Sequence, residues 1–347
     1  MRRDTHRGIP RRSVLAAAVS TALLAATSAC GSDDEGSAGL TTVKFAMDYL
    51  PGPAHNGLAY AIQQGLFEKR GIKVQLLPYT DSPPDPLIAA GTADLGINWG
   101  ATYALSDFAQ GLPVKSVFVL YQHYPAALGV LNGSPITRPA DMAGKKLGTF
   151  GDPFDPATAN TMIAADGGSG KVQPVVVGTS VFQALSSKEI DGFLIYASDQ
   201  YEFEKSSGEK LRTFSPAKFG VPDNYGNLVL ANTTFLKEKP QVATDFLAAF
   251  AEGYQKSLTD LAATNDALEK QFPGKIDRAL VDYVTKIQNA GLFIDADGGM
   301  GTQTLDRWQK TLDFMTKNGL LVDTKGKPLS SDFDPATFIT DEYLPKK

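Results

Sequence analysis

The chain has 347 residues, 43% of them hydrophobic and 20% charged, with 38 acidic against 33 basic residues and a formal net charge of −5. That length suffices for two lobes of ordinary domain size, and the acidic balance excludes the basic stripe a nucleic-acid binder sets against phosphates, so no nucleic-acid partner is expected. A single cysteine excludes an internal disulfide and leaves stability to the packed core.

The first thirty residues fall into three chemically distinct parts. Arg2, Arg3, Arg7, Arg11 and Arg12 form a basic start, Val14 to Ala26 is an apolar run broken only by Ser20 and Thr21, and Thr27-Ser28-Ala29-Cys30 is a patch of small residues. That order is the pattern of a secretory signal peptide, here residues 1–29. The apolar run is shorter than the roughly 20 residues of a spanning helix. Cys30 and the polar leash Gly31 to Gly39 resemble a bacterial lipobox, with Thr27 where that motif usually has Leu, and Arg11-Arg12-Ser13-Val14-Leu15 resembles a twin-arginine export signal. The expectation is an exported protein anchored to the outer face of the cell membrane by a lipid on Cys30, with residues 30–40 as a flexible linker. Loss of the presequence removes five arginines and Asp4, so 33 basic residues become 28, 38 acidic become 37, and the net charge becomes −9. Such a balance suits a solvated surface outside the cell.

From Thr41 onward short apolar runs alternate with amphipathic segments. Val43 to Met47 alternates like a strand and ends at Pro51-Gly52-Pro53. Ala54 to Lys69 has Leu58, Ile62 and Leu66 near helical spacing with Gly71 beyond its end, and Ile72 to Leu77 alternates again. Strand, helix, strand predicts a βαβ unit and a parallel sheet covered by helices. The theme recurs with a helix over Pro86 to Ala90, a strand over Asp94 to Ile97, a helix from Tyr103 to Gln110 and a strand from Val114 to Leu120. Later strands are expected at Lys146 to Thr149, Val172 to Val177 and Asp191 to Ile195. After Thr233 the pattern turns helical, with helices from Pro240 to Lys256, Ile276 to Asn289 and Thr302 to Lys317. The fold class is therefore α/β with a helical C-terminal third.

Several stretches resemble a known family. Asp48-Tyr49-Leu50-Pro51-Gly52-Pro53-Ala54-His55-Asn56-Gly57-Leu58 is similar to the opening of the SsuA/THI5-like (NMT1-like) substrate-binding proteins. Gly65-Leu66-Phe67 with Gly71-Ile72-Lys73-Val74, Gly91-Thr92-Ala93-Asp94-Leu95-Gly96, Asp141-Met142-Ala143-Gly144-Lys145 and Ile190-Asp191-Gly192 match its later motifs in order. Gly220 to Tyr225 resembles the return segment of the thiamine-pyrimidine-precursor binders among them. The resemblance implies a type II periplasmic-binding-protein fold, two α/β lobes joined by a two-segment hinge. Residues 41–127 plus 231–347 are expected to form lobe one and 128–230 lobe two, with crossings near 127–130 and 226–230.

In such sheets ligands lie beyond the carboxyl ends of the strands. Asp48, Tyr49, His55 and Asn56, on the loop after the first strand, suit a flat amino-bearing heterocycle: rings supply stacking area and Asp48 can accept from an amino group. A capping role for Asp48 and Asn56 is the plainer alternative. Asn98 and Trp99 follow an apolar strand and point to the same cleft. Gly151 and Asp152 lie in a glycine-spaced turn before a helix, a place for backbone N–H groups to meet an oxygen. Tyr196 and Asp199 follow another strand, with Asp199 where the family tends to have a glutamate, and Tyr225 stands beside the return crossing. Trp308, at helical spacing with Leu305, Leu312 and Met315, reads as core. Asp295-Ala296-Asp297-Gly298 reads as a turn, because the later carboxylates of a calcium loop are missing, and no metal site is expected.

The resemblance implies the solute-binding component of an ABC importer, a monomer without cofactor. Its partners would be an aminopyrimidine-like ligand, most of all a thiamine pyrimidine precursor, and a membrane permease. Riboflavin, sulfonate or nitrate are alternative ligands. A pyrimidine-synthase-like enzyme of the same fold, which uses pyridoxal phosphate and iron, is the alternative of another class. That enzyme group carries a cysteine-rich motif, whereas Cys30 is the sole cysteine here.

Overall fold

A computed structural model describes residues 39–346 apart from 81, 152, 294–298 and 324, so Cys30 with the whole presequence, Asp152 and the Asp295-Ala296-Asp297-Gly298 turn lie outside the described residues. In chain order the elements begin β1 (Thr41–Ala46), α1 (Asn56–Gln63), β2 (Ile72–Leu77), α2 (Asp85–Ala89), β3 (Leu95–Asn98), α3 (Ala101–Ala109) and β4 (Val114–Val119). They continue with β5 (Ala127–Leu131), β6 (Lys146–Thr149), α4 (Phe154–Ala165), β7 (Gln173–Val176), α5 (Val181–Ser186), β8 (Gly192–Ile195), α6 (Ala197–Ser207) and β9 (Leu211–Phe214). The last are β10 (Leu228–Asn232), α7 (Thr233–Glu238), α8 (Pro240–Thr259), α9 (Leu261–Gln271), α10 (Arg278–Gly291) and α11 (Leu305–Lys317).

The strands form two five-stranded sheets, ordered β2-β1-β3-β10-β4 and β7-β6-β8-β5-β9. The sheets are mixed rather than parallel. β1 runs parallel to β2 and β3, but β10 is antiparallel to β3 and β4. In the second sheet β6 is parallel to β7 and β8, and β5 is antiparallel to β8 and β9. Residues 127–130 and 226–230, expected at the crossings, mostly lie in β5 and β10. Their apolar side chains are worth more inside a sheet: Leu228, Val229, Leu230 and Ala231 are all fully buried, alternating between two core clusters. The connections between the sheets instead run through residues 120–126 and 215–227. Hydrogen bonds from Leu120 N and Tyr121 N to Asn227 O and from Gly226 N to Tyr121 O tie these two connections together.

The first sheet is covered on both faces. Phe45 stacks on Phe246 of α8 at 5.5 Å, and α8 packs so closely on α1 that a Cβ on Gly253 would overlap the carbonyl of Gly57. On the other face Phe108 of α3 meets Trp308 of α11 at 5.7 Å, and Trp308 is the buried core residue its spacing predicts. In the second sheet Leu147 and Val130 pack with Met162 and Ile163 of α4, while Phe193 and Ile195 pack with Leu185 of α5 and Phe203 of α6. The first helix is shorter than expected, because Gly65 (φ 63°) turns the chain in the left-handed region just past Gln63. The periodicity also misses α9, which begins afresh where the Asp260 side chain accepts from Ala263 N. The two halves touch beyond the connections: Tyr201 of α6 packs on Tyr283 of α10 at 5.1 Å, and Lys205 Nζ lies 3.3 Å from Asp277 Oδ2 at the start of α10.

Candidate functional site

The carboxyl ends of β1 and β3 build the floor of a cleft. Asp48, two residues beyond β1, is 4% exposed. His55 Nδ1 accepts from Gly52 N at 3.2 Å, which leaves the proton on Nε2, and Nε2 donates to Asp48 Oδ1 at 2.9 Å. Asn227 Nδ2 donates to the other oxygen, Oδ2, at 2.7 Å, and the Trp99 indole donates to the Asp48 carbonyl at 2.8 Å. Asp48 is thus a fixed acceptor held by two neutral donors. Beneath it Asn98 Nδ2 donates to Asp85 Oδ1 and Asn98 Oδ1 accepts from Gly100 N, both at 2.8 Å. Burial raises Asp85 to about 6 against the opposing Asn98 hydrogen bond, with the Asp48 charge adding to the rise. Burial, and then Asp85, raise Asp107 on α3 to about 8.

Aromatic rings line the walls. Tyr49 packs on Tyr79 at 5.2 Å, and Tyr103 meets Trp99 edge-on at 5.3 Å. From the second sheet comes Tyr196, at the end of β8, whose hydroxyl lies beside that of Tyr124 on the outgoing connection. Tyr196 is 44% exposed but ringed by protein, and that crowding, followed by the Tyr103 hydroxyl, raises its phenol pKa. Large hydrophobic side chains left exposed among the described residues concentrate here. Tyr49, Leu50, Tyr103, Phe150, Val176 and Tyr196 all lie at, or on the helix following, the carboxyl ends of strands, and only Ile287 and Leu305 lie elsewhere.

The expected site residues therefore separate into groups. Asp48, Tyr49, His55 and Trp99 come together on the floor, with Tyr196 across the cleft. Asn98 is fully buried and spends its amide on Asp85 and Gly100, so it positions the floor from below. Asn56 is fully buried elsewhere, its Nδ2 donating to Ser257 Oγ (2.9 Å) and Asn265 Oδ1 (3.1 Å). Asp199 accepts from Tyr196 N at 2.8 Å and caps α6. Tyr225 is 1% exposed against Trp308, with its hydroxyl accepting from Thr304 N at 2.8 Å, so its ring is core. Gly151 N donates to its own loop at Thr149 Oγ1, and the α4 start that follows bears Asp155, an unfavourable neighbour for an anion. Sequence reasoning did not single out Asn227, Tyr103, Tyr124 or Asp85. Tyr103 could have been found in the first turn of the helix that follows Trp99, whereas Asn227 and Asp85 reach the floor only through tertiary structure.

Two mixed sheets joined by paired connections, with the floor at the strand ends, define a two-lobed periplasmic-binding-protein fold of type II, as the motifs imply. The alkanesulfonate-binding protein SsuA from Xanthomonas axonopodis pv. citri, solved bound to MOPS, shares that fold with a TM-score of 0.60 and 16% identity, over 86% of this chain and 98% of that one. The chain belongs to the NMT1/THI5-like family, whose model matches residues 52–260. It is 27% identical over 296 residues to the formylaminopyrimidine-binding protein of Halalkalibacterium halodurans, covering 82% of this chain and 86% of that protein. It is also 29% identical over 231 residues to the 4-amino-5-hydroxymethyl-2-methylpyrimidine phosphate synthase of Uromyces fabae, covering 63% of this chain and 67% of that enzyme.

Proposed function

We propose that the chain is the extracytoplasmic solute-binding component of an ABC importer, capturing a thiamine pyrimidine precursor between its lobes for a membrane permease. The observation that carries this reading is the ring of exposed aromatic side chains around a buried, pre-oriented Asp48. A flat ring gains area between such walls while its amino group donates to a carboxylate that needs no rearrangement. The likeness to a formylaminopyrimidine-binding protein supports the same ligand class. In this reading residues 1–29 are removed on export, a lipid on Cys30 and the 30–40 linker hold the protein at the membrane, and the protein acts as a monomer without a cofactor. Lobe two carries β5 to β9, residues 127–214, and lobe one the rest of the folded chain, with 120–126 and 215–227 crossing between them. Ligand contacts made with both lobes then favour the closed form.

The test is calorimetry of the purified protein with aminopyrimidines, riboflavin, alkanesulfonates and nitrate. A micromolar aminopyrimidine complex, about −8 kcal/mol, is expected. Asp48→Asn turns a donor toward His55 or Asn227 and should weaken it about tenfold to a hundredfold. Absence of aminopyrimidine binding, or undiminished affinity in Asp48→Asn, overturns the reading. A second reading, an enzyme, draws on the 29% identity to the Uromyces fabae synthase. Pyridoxal phosphate added to the protein would then form a Schiff base with visible absorbance, and the solute-binding reading expects none.

A further inference from the structure

Three buried carboxyls from three separate elements run from the cleft floor downward, near enough that the charge of Asp48 acts on Asp85 and that of Asp85 on Asp107. Asp48 on the loop after β1, Asp85 at the start of α2 and Asp107 on α3 are 4%, 4% and 9% exposed. Asp48 takes N–H groups from His55 and Asn227, and Asp85 takes one from Asn98. Asp107 Oδ2 is buried with no hydrogen-bond partner. Among the described residues no lysine or arginine forms an ion pair with any of the three. The groups around Asp85 are few. β3 and β10, on which α2 packs, read Leu-Gly-Ile-Asn and Leu-Val-Leu-Ala-Asn and carry no titratable side chain. The loop after β1 brings Asp48 with His55, and α3 brings Asp107 with Tyr103 above it. Buried negative charge without a cation must be neutralised by protons or by something that binds.

We propose that this acidic stack makes the cleft select ligands bearing positive charge, and that such a ligand displaces a proton from Asp85 on binding. The inference rests on the cleft being the ligand site and names the charge class of its ligand. In the step the O–H bond of the Asp85 carboxyl breaks and the proton leaves to solvent. The carboxylate stays on Asn98 Nδ2, and the ligand's charge above Asp48 takes over the neutralising role. Because burial holds Asp85 near 6, protons and cation compete across that range. Affinity for a cation then rises with pH, by at most about tenfold per pH unit for one proton, while a neutral ligand shows no such slope.

The experiment uses the purified protein and two probes, a 4-aminopyrimidine methylated on a ring nitrogen (a permanent cation) and its neutral parent. Titration calorimetry at pH 6 in two buffers of different protonation enthalpy counts the protons. The cation is expected to bind with a buffer-dependent enthalpy showing release, and to tighten severalfold from pH 5 to pH 7. Asp85→Asn should bind it with neither signature, and the wild-type pH series stands alone if that variant fails to fold. Buffer-independent binding of the cation, or proton release that survives in Asp85→Asn, overturns the proposal. If the neutral parent binds and the cation does not, the proposal falls and the aminopyrimidine reading stands. If neither binds, both fall.

Discussion

Asp48 and Asn56 carry similar side chains on one short segment, yet tertiary partners give them different work. Asp48 is held between His55 and Asn227 at the cleft, while Asn56 knits α1 to α8 and α9 through Ser257 and Asn265. The sequence places both on the right loop, because a polar cluster between a strand and a helix is visible in one dimension. Which of them faces the cleft depends on residues some two hundred positions away, and no local pattern holds that. Asp107 presents the same problem within a helix, reading as an ordinary surface position until α3 is packed. Its burial has a measurable sign. With its carboxyl raised from the usual 3.8 to about 8, the folded protein binds more protons than the unfolded chain between those values, so this group lowers stability as pH rises through that window. Each tenfold difference in proton affinity between the folded and unfolded chain is worth about 1.4 kcal/mol, so the melting temperature should fall by several degrees from pH 5 to pH 8. Asp107→Asn should remove most of that fall; a slope unchanged in the variant would place the titration elsewhere.

The elements that alternate cleanly in sequence are the ones found where expected. β2 matches Ile72 to Leu77 and β6 matches Lys146 to Thr149 at both ends. Parts of β5 and β10 are expected from sequence as connecting segments, because an apolar run beside a hinge resembles any other; only the antiparallel pairing on both sides shows that they are interior strands. The close approach of α1 and α8 was equally invisible. Gly57 and Gly253 face each other, and a Cβ on either would overlap Tyr254 or the Gly57 carbonyl. Gly253→Ala, neutral or favourable in an isolated helix, should therefore destabilise the protein by about 1–3 kcal/mol. Denaturant melts of the variant check this, and an unchanged midpoint would mean that the helices part without penalty.

At the scale of the whole molecule, the two-lobed plan was legible from the order of motifs, whereas the contact between α6 and α10 was not. Tyr201 and Tyr283, with Lys205 and Asp277, meet away from the cleft floor. Tyr283→Ala should weaken ligand binding severalfold while leaving Asp48 and its partners in place, because it shifts the balance between lobe arrangements. A compensating disulfide between α6 and α10 should restore the affinity, and a variant with wild-type affinity would show that the contact is idle. The exposed ion pair adds little by itself, so most of the effect belongs to the rings. The same contact bears on how small a ligand can be and still hold two lobes together. Even the best very small ligands gain no more than about 1.5 kcal/mol per heavy atom, and bringing two free bodies together would consume much of that. Lobes already in touch have lost part of their freedom to tumble apart before any ligand arrives, so a molecule of a single ring need supply only the remainder.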